Sequence, residues 1–130
     1  MSELKAITNK NAQTVINAAI QLAERNTSGK IRVHIDKHCK IDVLDQAAFL
    51  FRILEMHKTT HRNGVLFYLA LKDRKFALLG DSGINAKVSD IFWDEIKYIL
   101  ANHFKKGDFA GGLADGIRMA GDQLKIHFPN

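Results

Sequence analysis

The sequence predicts an α/β fold, a three-layer α/β/α sandwich with a small mixed central sheet, in a single domain spanning residues 1–130. Three observations carry this. Residues 30–36, "KIRVHID", alternate apolar and polar side chains, as a strand with one polar face does. Residues 64–71, "GVLFYLAL", are apolar throughout and suit a central strand covered on both faces. Segments of helical period stand before, between and after these strands, so both sheet faces have helices to cover them.

The elements follow in order. Residues 11–25 place Val15, Ala18, Ala19 and Leu22 at helical spacing, with Asn11 as a cap. "NTSGK" breaks this helix and leads into the first strand. Asp42 caps the next helix, "VLDQAAFLFRILEMH", whose apolar stripe is Val43, Ala47, Leu50, Phe51 and Leu54. The apolar strand comes next. "KDRK" turns the chain, and "KFALLG" returns as an antiparallel strand because the link is short. Ser89 caps a helix that buries Phe92, Ile96, Ile99 and Leu100. Asp108 caps a last helix running to about Ile126. Joined through a helix, the first two strands should be parallel with a right-handed crossover, and the apolar strand should lie between the other two. In the last helix Gly112, Gly116 and Ala120 fall four apart, a stripe that marks close approach to a neighbour or room for a ligand.

Composition narrows the function. The 130 residues, 46% of them hydrophobic and 25% charged, are ordinary for a globular domain. One cysteine makes no internal disulfide, the N-terminal stretch has no apolar leader segment, and no apolar run reaches the ~18 residues of a membrane span. A cytoplasmic protein without membrane insertion is expected. The net charge of +5 is scattered rather than gathered in a stripe, so nucleic acid is not an expected partner.

"GDSG", residues 80–83, is the string around the nucleophile of chymotrypsin-like proteases, and His38-Cys39 repeats a second such pair. A protease of that kind needs two β-barrels to bring its triad together. Here Ser82 follows a strand and opens a turn into helix, and Gly80, Asp81 and Gly83 are turn formers. This is not a serine protease. A zinc-protease reading also fails: His57 and His61 stand four apart, but Lys58 occupies the place of the required glutamate. Cys39, flanked by His38 and Lys40, has no placed acid partner.

The run "RNGVLFYLALKDRKFALLGDSGI", followed by "FW", "HFKKGDFAGGLADGI" and a terminal "HFP", closely resembles the TPM domain family. Its relatives include the thylakoid-lumen phosphatase-like protein of photosystem repair and an auxiliary protein of nematode acetylcholine receptors. This chain resembles a short, stand-alone bacterial-type member. The resemblance implies an α/β/α fold, divalent-cation binding (calcium or magnesium) and an acid phosphatase activity attributed to the plant branch.

Hairpin pairing should bring Asn63 and Gly64 beside Asp81 and Ser82, with the last helix's N-terminus at Asp108 folding over the same edge. Asp81, Asn63 and Asp108 offer the hard oxygens that calcium or magnesium takes. Arg62 with Ser82 and a helix N-terminus suits an anion. Asp36, His38, Cys39 and Asp42, with Asp73 and Arg74 at the hairpin, form a second cluster beyond the carboxyl ends of the parallel strands, where ligands of open α/β sheets often lie. The leading expectation is a binding module with a weak divalent-cation site, and the alternative is a weak metal-dependent acid phosphatase. The partner, a protein or a small molecule, is unknown.

Overall fold

A computed structural model describes residues 9–130. The reading of the N-terminus as lacking a leader falls largely on residues 1–8, outside the described residues. The elements are α1 (Lys10–Glu24), β1 (Lys30–Asp36), α2 (Val43–Ile53), β2 (Gly64–Ala70), β3 (Lys75–Gly80), α3 (Ser82–Asn85), α4 (Asp90–Lys105) and α5 (Phe109–His127). The sheet order is β1-β2-β3, with β1 parallel and β3 antiparallel to β2. That is the mixed sheet the sequence predicts.

Every residue of β2 is buried. Its period-2 alternation feeds two cores. Val65, Phe67 and Leu69 join Ile31 and Leu78 under α1, α4 and α5, where Ile16, Ile96, Leu100, Leu113 and Ile117 meet them. Leu66, Tyr68 and Ala70 face the other way, onto Ala47, Leu50 and Phe51 of α2. Asp42 and Ser89 cap their helices as expected. The α2 helix stops at Ile53, before the expected end, because Glu55 turns left-handed at φ 59°.

The first helix differs from its expectation. Its cap is Asn9, whose Oδ1 accepts the Ala12 amide at 2.8 Å. Its buried stripe is Ala12, Ile16 and Ala23, while Val15 and Leu22 are 45% and 56% exposed. The cause lies in α5. Gly121 packs so tightly on Ala23 that a Cβ there would sit 2.5 Å from the Ala23 Cβ. Only the stripe with small residues fits this approach. The glycines of α5 therefore serve close packing rather than a ligand: the side chains of His103 and Phe104 fill the space at Gly112. Ile16→Ala should cost about 2–5 kcal/mol, and Leu22→Gln should stay within about 0.5 kcal/mol, in paired denaturant melts. Equal losses would mean that α1 is rotated from the position described.

Candidate functional site

The two ends of the sheet carry different chemistry. At the end where β1 and β2 begin, β3 delivers Gly80 and Asp81 opposite Gly64; the Asp81 amide donates to the Gly64 carbonyl at 2.9 Å. Asp81 is only 7% exposed. Arg62 grips it with two hydrogen bonds, Nε to Oδ2 at 2.8 Å and Nη2 to Oδ1 at 2.9 Å. The Ser82 amide adds a third to Oδ1 at 2.7 Å, so Asp81 also caps α3. The bond and charge of Asp81 push the Arg62 guanidinium pKa further up. Arg62 itself is left-handed at φ 51°, which turns its carbonyl onto the amides of Gly83 and Ile84 at 2.7 and 3.3 Å. Asn63 is fully buried, and its Nδ2 donates to Ser28 Oγ at 3.0 Å. Ser82 is exposed on the first turn of α3.

Asp108 is not here. The α4 helix starts at this end, where Trp93 Nε1 donates to Asn85 Oδ1 and a Cβ on Gly80 would strike the Trp93 ring. It finishes at the other end, where Phe104 packs edge-on against Phe76 at 5.4 Å between ring centroids. The α5 helix therefore begins beside the hairpin, and Phe109 shares a wall with Leu69, Leu71 and Arg74. Asp108 caps α5 through Gly111 and holds His103 Nδ1 at 2.8 Å, while Asp115 takes His103 Nε2 at 3.0 Å.

Asp81, Asn63 and Asp108 thus do not form one cation site. Asp81 has its charge matched and both oxygens taken by an arginine, and Asp108 sits beyond the opposite sheet end. Arg62 spends Nε and Nη2 on Asp81, so the charge expected to draw an anion to Arg62 and Ser82 is already matched by that carboxylate.

At the carboxyl ends of β1 and β2 the chain between them and the hairpin are zipped together. The Leu71 and Lys72 amides donate to the carbonyls of Asp36 and Lys37 at 2.9 and 2.8 Å. Asp73 accepts the Cys39 amide at 2.7 Å and pairs with His38 Nδ1 at 2.8 Å. The Cys39 amide first, and His38 second, hold the Asp73 carboxyl below the usual carboxylate range. Asp36 accepts the Tyr68 hydroxyl at 2.8 Å and pairs with His34 Nε2 at 3.1 Å. Burial, then the bond to Asp36, pushes the Tyr68 pKa up, so this phenol stays a neutral donor. Asp36 and Asp73 keep about a third and a quarter of their side-chain surface in solvent. Arg74 is left-handed at φ 55° and closes the hairpin turn, its amide donating to the Leu71 carbonyl. Cys39 donates its thiol to the Ile41 carbonyl. The His38–Asp73 and Tyr68–Asp36 links join residues about thirty-five positions apart. The sequence places His38, Asp36 and Asp73 at one edge, but the pairings themselves follow from the parallel register of β1 on β2.

The family model described as the TPM domain matches residues 4–123. Among solved structures, the BA42 protein from the psychrophilic bacterium Bizionia argentinensis is 46% identical with a TM-score of 0.87, the match covering 93% of this chain and 83% of that one. The N-terminal domain of a protein from P. gingivalis shares 17% identity at a TM-score of 0.76, covering 95% of this chain and 82% of that one. The N-terminal domain of cg2496 from Corynebacterium glutamicum shares 16% at 0.71, covering 89% and 73%. These last two show the fold alone. No functionally curated protein matches the chain.

Proposed function

The chain belongs to the TPM domain family, and from that premise we propose that it is a binding module whose working edge lies at the carboxyl ends of β1 and β2. The observation that carries this reading is the rim of Asp36 and Asp73. Both carboxylates are part-exposed, Asp73 held by the Cys39 amide of the chain after β1 and Asp36 by the Tyr68 hydroxyl of β2. A calcium or magnesium ion is the ligand whose chemistry this rim suits. Asp36 and Asp73 would hold it, the ion sharing or displacing the donors His34, Tyr68, His38 and Cys39 that occupy their oxygens, with carbonyls of the chain after β1 completing the set. Among the described residues no three His, Cys, Asp or Glu side chains converge on one point. Most remaining ligands would be carbonyls and water, so affinity should be low, toward ~10⁻⁴–10⁻³ M. Flexible loop ligands favour calcium over the stricter octahedron of magnesium.

A second reading shares this edge. His38, steadied by Asp73, has the arrangement of a general base. Weak metal-dependent hydrolysis of phosphate monoesters would use it there. No helix of the described residues is long and apolar enough to cross a membrane.

Amide shifts recorded through calcium and magnesium titrations test the proposal. Saturable changes should fall on residues 36–42 and 71–74, and Asp73→Asn should weaken them. Changes confined to 62–64 and 80–82, or none at millimolar ion, would remove the ion from this edge. Phosphatase assays on the same samples, with His38→Gln as comparison, decide the second reading.

A further inference from the structure

The sheet ends at β3, whose outer edge pairs with no strand of the described residues. The Asp81 amide bonds to the Gly64 carbonyl, so by antiparallel alternation Lys75, Ala77 and Leu79 spend their backbone groups on β2. Phe76, Leu78 and Gly80 turn theirs outward. Asn85 Nδ2 takes the Gly80 carbonyl at 2.7 Å. Among the described residues nothing takes the outward N–H and C=O of Phe76 and Leu78. Such an edge is a template for a further strand.

A groove runs along it. Cavities of about 480 and 210 Å³ lie between β3 and α4, the larger beside Gly80 and the smaller beside Phe76. Leu79, which faces the α2 side of the sheet, also reaches the larger one, so that cavity wraps round the edge. One stripe of α4 walls both: Asp90, Asp94 and Lys97 at the Gly80 end, Ala101 and Lys105 at the Phe76 end, each three or four positions from the next. The ends differ in chemistry. Asp90 and Asp94 give the first a negative balance over Lys97, which stands 4.0 Å from Asp94. Phe76, Phe104 and Phe109 make the second apolar.

We propose that this groove binds an extended peptide, added to β3 as a fourth, antiparallel strand, with a lysine or arginine four residues before an aromatic or large aliphatic side chain. Main-chain bonds to Phe76 and Leu78 would set the register, and the cavities would read the side chains. Residues of the added strand opposite Gly80 and Phe76 stand four apart and point the same way, toward α4. The first meets Asp90 and Asp94, and the second meets the phenylalanine wall. A second copy of this chain fits less well. Its own Phe76 and Leu78 are already packed on Phe104 and the core, so it would pair its backbone and leave both cavities empty. The groove needs no ion and does not rest on the Asp36–Asp73 edge.

The probe is a capped seven-residue peptide of threonines with Lys second, Val fourth and Phe sixth, titrated into metal-free, ¹⁵N-labelled protein. The amides of Phe76 and Leu78 and the Trp93 indole should shift saturably, and hydrogen exchange at those two amides should slow. N-methylation at the valine removes the N–H that meets the Leu78 carbonyl and should weaken binding about fivefold, the worth of one hydrogen bond. N-methylation at the following threonine, whose N–H points away from β3, should leave binding unchanged. The double variant D90N/D94N, folded by its amide spectrum, should also bind about fivefold more weakly, as should a peptide with Lys and Phe exchanged. Silent Phe76 and Leu78 amides, or equal binding by the two N-methyl peptides, would overturn the strand addition. Equal binding by the exchanged peptide or the double variant would overturn the side-chain reading. Shifts at Phe76 and Leu78 that grow with protein concentration alone would make the occupant a second copy and overturn the peptide.

Discussion

Replacing Phe67 with alanine will cost about 3–5 kcal/mol, the usual range for a fully buried aromatic. Phe67 sits at the centre of β2, between Val33 on one side and Leu78 on the other, and is 1% exposed. Its ring bears on Gly116 of α5, where an added Cβ would come within 3.0 Å of it. Gly116 has no side chain to fill the gap, and the Ile96 and Leu100 side chains beside it are already packed in the core. The lost transfer energy and the cavity therefore add. Against a total stability of about 5–15 kcal/mol for a domain of this kind, the change removes a large fraction. The denaturant midpoint should fall with an unchanged slope. Phe49→Ala on the outer face of α2, where the ring is 57% exposed, should stay within about 0.5 kcal/mol. A loss below about 1 kcal/mol at Phe67 would show that α5 closes over the space and is not held by its glycine contacts.

The legibility of this core in the sequence follows its symmetry. A strand with no polar face has only one place in a layered domain, so "GVLFYLAL" fixed the sheet order. The stripe of α2 was readable as well, although the outward face of that helix carries exposed Leu44, Phe49 and Ile53 beside Asp45 and Arg52. The α1 helix carries two apolar stripes of equal spacing, and only the glycines of α5, a hundred residues away, choose between them. The choice depends on volume at a helix contact, which periodicity does not encode.

The site was legible in types but not in pairings. Hairpin register sets Asp81 against Gly64, the neighbour of Asn63. The same register, carried past Gly64 and Gly80, brings Arg62 to the Asp81 side, and that opposite charge was the available sign that Asp81 is a clamp rather than a metal ligand. The position of Asp108 depends on which end of the sheet α4 reaches. That follows from the length of α4, 16 residues or about 24 Å, roughly the span of the six-residue β3 beneath it. A helix that starts by Gly80 must deliver the next one beside the hairpin.

Gly83→Ala will be among the most damaging single-methyl additions in the chain, and it gives "GDSG" its meaning. The residue lies in the first turn of α3 with an ordinary helical backbone, so the effect is crowding and not conformational freedom. A Cβ there would overlap the His61 carbonyl oxygen and press on the Arg62 carbonyl. Neither oxygen can retreat cheaply. The Arg62 carbonyl is held by the Gly83 and Ile84 amides, and its side chain is locked on Asp81. Overpacking against movable side chains costs about 1–3 kcal/mol, and fixed backbone puts this case at the upper end or beyond. The damage should also be local. Amide exchange at residues 61–64 and 82–85 should accelerate in the variant while the β2 amides stay protected. Ser82→Ala, one position earlier and exposed, should change stability by no more than about 0.5 kcal/mol. The contrast separates the two readings of the string. A clip needs the glycine and ignores the hydroxyl, whereas a nucleophile needs the hydroxyl. A neutral Gly83→Ala would sink the clip, and labelling of Ser82 by a fluorophosphonate probe would bring back the protease-like reading.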